Sequence, residues 1–363
     1  ESFMLEGHHE SNFSAAGKGF FAATFANLVM QRSRFEALWL RRPEILDVEL
    51  NSPIILAGLP RSGTTNLSNI MAADERLNSL AFWESYRPVP SLAVLNGDEA
   101  DDDRDREWER GLADMYAIAP LFKNMIDVPY DGATEETNLM HMAGMPVGHQ
   151  NHAYTPEWNH WFWHEMDPMM MYGFLKKAMQ TLQWLRGDDK RWILKSPHHL
   201  AFLPTVDRVF DNATYVVTHR DPASSVISNA YMISYLFRET QVKPNVEGGF
   251  QVATHMAQGK IRGLVRDIDS LDSASVEHIY FDEYMADPLA MLERIYKRAG
   301  LEWNERAEAQ LKGYIESHKR GRHGGRLEYH PERDFGRTRS EIRSDYQFYL
   351  DKFPRIRVED RHG

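Results

Sequence analysis

Apolar residues along this chain fall into two patterns that alternate. Runs at 54–57, 192–194, 213–217 and 276–281, rich in Ile, Val and Leu, read as strands buried on both faces. Between them apolar residues return every three to four positions, the spacing of amphipathic helices. Phe20, Phe21, Phe25, Leu28 and Val29 form one such series, and Phe35, Leu38 and Leu40 begin another. Residues 1–50 are therefore expected to form a helical arm, either laid on the main body or offered to a partner. Strands are expected at 53–58, near 79–82, and at 192–195, 213–219 and 276–281. Strands separated by helical stretches fold as a mostly parallel central sheet flanked by helices, an α/β fold of three layers. One domain is expected over 1–363, with residues 84–190 as a helical insertion.

Composition narrows the partners. The chain has 363 residues, 42% of them hydrophobic, and a net charge of −11. That balance argues against a nucleic-acid or anionic-membrane surface as the main partner, so any polyanion must be met by locally clustered cations. There is no cysteine, hence no disulfide framework and no thiolate chemistry. The apolar stretch 20–30 is too short to span a bilayer. A cytoplasmic protein is expected, with a removed targeting segment left open because the chain begins at Glu1 without a methionine.

The strand at 54–57 runs into Gly58-Leu-Pro-Arg-Ser-Gly-Thr-Thr65 and then into a helical pattern with Leu67, Ile70 and Met71. Strand, glycine-containing loop and helix in that order make an anion cradle, because free N–H groups and the positive helix end converge; the plainer reading is an ordinary strand-to-helix turn. Gly58 and Gly63 have the spacing of a P-loop, but Thr64 stands where GxxxxGK[ST] has its lysine. The cation sits inside the loop instead, at Arg61, whose fork of donors suits an anion held without a metal.

The loop PRSGTT at 60–65 resembles the 5′-phosphosulfate loop of sulfotransferases that use 3′-phosphoadenosine-5′-phosphosulfate (PAPS). Its arginine is similar to that of tyrosylprotein sulfotransferases and of a large bacterial group. Two later junctions extend the resemblance. Leu194-Lys-Ser-Pro197 resembles the family segment whose lysine contacts the phosphosulfate, which implies that role for Lys195. Arg220 and Ser228, eight residues apart across a strand-to-helix junction, match the family's 3′-phosphate pair. The resemblance covers roughly residues 50–350 and implies a P-loop-like fold, PAPS as co-substrate and no metal.

It also suggests roles at weaker matches. Glu84, after Phe82-Trp83, falls where the family has a catalytic glutamate and is the candidate base, although a surface carboxylate or cap is the plainer reading. His199 and His141 stand in reserve. The backbone of Ser62, Gly63, Thr64 and Thr65 is expected to hold the 5′ group, with Arg61 and Lys195 offsetting charge on the leaving phosphate. Tyr280 is expected near the nucleotide, and Arg322, His323 and Gly324, in the basic loop 319–326, on its 3′-phosphate side. Residues 149–172 carry His149, His152, Trp158, His160, Trp161, Phe162, Trp163, His164 and Met169–Met171. They read equally as core filling or as an apolar wall for an acceptor; His160 and His164 lack the glutamate and third ligand of a zinc site. The function implied is sulfuryl transfer from PAPS to a hydroxyl of a small, hydrophobic or phenolic molecule. Two readings from other classes stand beside it: a P-loop kinase or ATPase, and a nucleotide-binding protein without activity.

Overall fold

The computed structural model describes residues 6, 12–98, 102–121, 125, 131–318 and 327–359. At its centre is a five-stranded sheet of order β2-β3-β1-β4-β5, with β1 at Ile54–Gly58, β2 at Leu77–Ser79, β3 at Arg191–Lys195, β4 at Thr214–His219 and β5 at Val276–Tyr280. Every pairing is parallel. The α/β expectation therefore holds, with four strands within a residue or two of their expected positions.

The second strand differs. It lies at 77–79, not 79–82, because Phe82 already opens a short helix, Phe82–Tyr86. Leu80 is buried and Ala81 makes only an isolated bridge with Ala133. Periodicity alone does not separate a three-residue strand from the helix that follows it.

Ile54 through Gly58 and Thr214 through His219 are buried without interruption, as strands covered on both faces must be. Helices Pro222–Thr240 and Val246–Asp267 pack against each other on one side. On the other side Leu67, Ile70, Leu292 and Ile295 cover Leu56 and Val216. The arm becomes one helix, Ala15–Arg41, burying Phe21, Leu28, Phe35 and Leu38 while Val29 and Leu40 are exposed. Trp39 Nε1 donates to Thr181 Oγ1 at 2.8 Å and Arg34 to the Val89 carbonyl, which fastens the arm to the segment between β2 and β3. At the outer strand β5, the buried Glu277 pairs with Arg294 and, at 3.2 Å, with Arg298.

Parallel strands point all their carboxyl ends one way. With β3 and β4 on either side of β1, residues just past 58, 195 and 219 meet along one edge, at the point where the strand order reverses.

Candidate active site

The loop after β1 is shaped by its small residues. A Cβ on Gly58 would run into the hydroxyls of Thr218 and Ser62, so only glycine lets the loop lie against β4. Ser62 Oγ donates to the Leu59 carbonyl and meets Thr218 Oγ1, each at 2.7 Å. Arg61 and Gly63 both take positive φ, +70° and +93°, the second at the N-cap of helix Thr64–Met71. Ser62 N–H closes onto the Leu59 carbonyl. The N–H groups of Gly63, Thr64 and Thr65 have no partner among the described residues, and no side chain caps this helix. The result is a cradle of free amides at a positive helix end, which fits a phosphate or sulfate group.

Lys195, the last residue of β3, has its Nζ 3.3 Å from both Thr65 Oγ1 and Glu135 Oε1. The loop and the lysine are thus brought together. From the other flank, Arg220 follows β4 and its Nη1 donates to the carbonyl of Arg61. Arg61 Nε donates to Ser228 Oγ at 3.0 Å, and Ser228 also meets Tyr329 OH at 3.0 Å. Arg61, Arg220 and Ser228 therefore share one corner. Burial lowers the pKa of Arg61, with Arg220 adding to the effect and Tyr329 opposing it.

Glu84 stands apart from this corner. It is buried, and its carboxylate receives Arg186 Nη2 at 2.5 Å and the Ala81 N–H at 3.4 Å. Arg186 also donates to the Ser79 carbonyl and lies 4.5 Å over the Trp192 ring. The ion pair joins the start of helix Phe82–Tyr86 to the end of helix Pro168–Arg186. The carboxylate that meets Lys195 is Glu135, about one third exposed and held through Oε2 by Thr137 Oγ1 at 3.1 Å. Nothing in the sequence singled out Glu135. Its place before helix Thr137–Met142 does not reveal that it reaches β3.

The reserve histidines are committed elsewhere. His141 Nε2 accepts the Gly148 N–H at 2.7 Å, and burial, then His198 and His152, push its pKa down to about 3. His199 is fully buried, 3.0 Å from Tyr172 OH and 3.5 Å from Glu136. Tyr280 is buried between the His219 ring and Arg355; its neighbour Phe281 is the ring that lies against Arg220, 4.0 Å away. Arg322, His323 and Gly324 lie outside the described residues. In the aromatic stretch, Trp158, Phe162, Met171 and Tyr172 are core, whereas Trp161 and Met170 are exposed.

Beside the loop is a small cavity lined by Leu59, Pro60, Ser225, Asn229, Met256 and Lys260. Lys260 is fully buried, and its Nζ has no hydrogen-bond partner among the described residues. Burial lowers its pKa to about 7, opposed by the Glu135 carboxylate.

Fold and site together define an α/β protein whose strand ends form an anion-binding edge of amides and cations. Residues 53–305 match the sulfotransferase family, and the chain belongs to it. Sulfotransferase STF9 from Mycobacterium avium superposes with a TM-score of 0.84 at 23% identity, covering 98% of this chain and 90% of that one. Sulfotransferase STF1 from Mycobacterium tuberculosis H37Rv gives 0.80 at 20% identity, over 96% and 90%. Omega-hydroxy-beta-dihydromenaquinone-9 sulfotransferase Stf3 of Mycobacterium bovis is 20% identical over 272 residues, 73% of this chain and 67% of the relative. The protein is a sulfotransferase, a transferase of sulfuryl groups.

Proposed function

We propose that the protein moves the sulfuryl group of PAPS to a hydroxyl of a small, hydrophobic or phenolic acceptor and leaves adenosine 3′,5′-bisphosphate. One observation carries this reading: Arg61, Lys195 and Arg220 issue from the carboxyl ends of three adjacent strands around an uncapped helix N-terminus. In this reading the amides of Gly63 to Thr65 hold the 5′ group, and Arg220 with Ser228 holds the 3′-phosphate. Tyr280, Arg322, His323 and Gly324 are assigned to the nucleotide's outer side. Arg61 and Lys195 stabilise negative charge appearing on the leaving phosphate, a contribution of about 3 kcal/mol for a preorganised donor.

Transfer is in line: the acceptor oxygen bonds to sulfur as the bridging bond from sulfur to the 5′-phosphate oxygen breaks, and the acceptor proton passes to a carboxylate. Glu135 is assigned that proton because it lies on Lys195, whereas Glu84 is paired with Arg186. Support for an apolar acceptor comes from half-buried Phe82, Tyr86 and Trp108. Tyr86 stacks on Trp108 at 3.9 Å, and Ser85 on the same turn receives a hydrogen bond from Asn138, three residues beyond Glu135.

The test is a panel of alkyl and phenolic alcohols supplied with labelled PAPS, run on wild type, Glu135→Gln and Glu84→Gln. Wild type is expected to sulfonate hydrophobic alcohols. Glu135→Gln is expected to lose about 10²–10⁴-fold in turnover while keeping its affinity for the bisphosphate. Folded Glu84→Gln keeps turnover within a few-fold. Loss of turnover in Glu84→Gln alone returns the proton to Glu84, and no transfer to any alcohol by wild type rejects the acceptor class.

A further inference from the structure

The arginine of the 3′-phosphate corner is itself held by a carboxylate from far along the chain. Glu359 receives Arg220 Nε at 2.7 Å and Nη2 at 2.8 Å, a bidentate pair along one edge of the guanidinium. The opposite face of Arg220 lies on the Phe281 ring, and its Nη1 donates to the Arg61 carbonyl. Of the N–H donors on a guanidinium, these contacts leave the second hydrogen on each terminal nitrogen without a partner among the described residues. Two donors are therefore left over, the number that two oxygens of a phosphate would take up.

Glu359 is not a loose tail group. Its own N–H donates to Asp221 Oδ2 at 3.0 Å, and its carbonyl accepts from Arg343 Nη2 at 3.3 Å. Arg343 in turn holds both oxygens of Asp221, the residue that caps helix Pro222–Thr240 through the Ala223 N–H. Phe353 and Ile356 are buried just before it. These bonds fix the main chain of Glu359 beside Arg220, and its carboxylate reaches from that fixed point to the guanidinium.

We propose that Glu359 is a positioning residue for the 3′-phosphate: it fixes Arg220 so that the two remaining donors of the guanidinium are held ready for the nucleotide, and so sets the preference for a 3′-phosphorylated adenosine. This rests on the nucleotide reading above. An arginine free to turn pays rotamer entropy on each binding event, and Glu359 removes that cost before the ligand arrives.

Calorimetry with adenosine 3′,5′-bisphosphate and adenosine 5′-monophosphate, on wild type, Glu359→Ala and Glu359→Gln, tests it. Glu359→Ala is expected to bind the bisphosphate about 10-fold more weakly, the scale of a charge-assisted hydrogen bond, with the monophosphate changed by less than about twofold. Glu359→Gln keeps an accepting oxygen and is expected to fall between; it also carries the test should the alanine variant not fold. Equal weakening of both nucleotides makes the tail a purely structural strap and overturns the proposal. Tighter bisphosphate binding, or no change, overturns it too, the first by showing that Glu359 obstructs the site. Wild type that shows no preference for the bisphosphate fails the nucleotide reading and this proposal with it.

Discussion

Lys260 is the residue whose surroundings ask most of the fold. An ammonium taken out of water without a hydrogen-bonded partner is costly, and its pKa of about 7 expresses that cost. The sign follows from proton counting. In the unfolded chain lysine titrates near about 10.4, so between about pH 7 and 10 the unfolded state binds the extra proton and stability rises with pH. Below pH 7 both states are charged and the full penalty applies. Lys260→Met is therefore expected to raise Tm by a few degrees at pH 6, with the gain shrinking toward pH 10; a gain independent of pH would point to packing instead of charge. Single residues of this kind were poorly legible in the sequence. Nothing in the helical spacing of residues 246–267 separates Lys260 from a surface lysine, and Glu135 was equally hidden. The placement of Arg61, Lys195 and Arg220 was legible because each stands at or just past a strand end, and that of Ser228 because it follows Arg220 into the next helix; there chain order alone fixes the place in space.

At the scale of elements, four of the five strands could be read from β-branched runs, and the one misplaced is the shortest. The same short segment changes the setting of Glu84. Taking 79–82 as a strand puts Glu84 just past a strand end, facing ligand; with the helix starting at Phe82, Glu84 falls in its first turn and meets Arg186. That pair now has a structural assignment, since it ties helix Phe82–Tyr86 to the helix that leads into β3. Removing one partner strands a buried charge. Glu84→Ala is expected to lose about 2 kcal/mol of stability in denaturant unfolding, and Arg186→Met a comparable amount, while bisphosphate affinity stays within about twofold. Normal stability in both variants would leave the ion pair without that role.

Over the whole molecule, an acidic chain with a net charge of −11 gathers Arg61, Lys195 and Arg220 at one edge of its sheet. Binding of a doubly phosphorylated nucleotide there is expected to weaken as salt rises from 50 to 300 mM, and to weaken more than that of the 5′-monophosphate. The long-range field of the rest of the chain is repulsive, and screening it acts in the opposite direction. A bisphosphate affinity that rises with salt would mean that the acidic surface outweighs the local cations. This division between a repelling surface and an attracting edge was foreseeable from composition and junction motifs together. The tail that reaches back to Arg220 was not, because a contact between residues 220 and 359 leaves no periodic trace.

The outer strands of the sheet bear on how copies of the protein meet. β2 offers only three residues, and β5 carries Glu277 clasped by two arginines of helix Pro288–Arg298. Short or charged margins of this kind give a foreign strand too little to pair with. Margins of this build disfavour the addition of a further strand from a second copy at either end of the sheet.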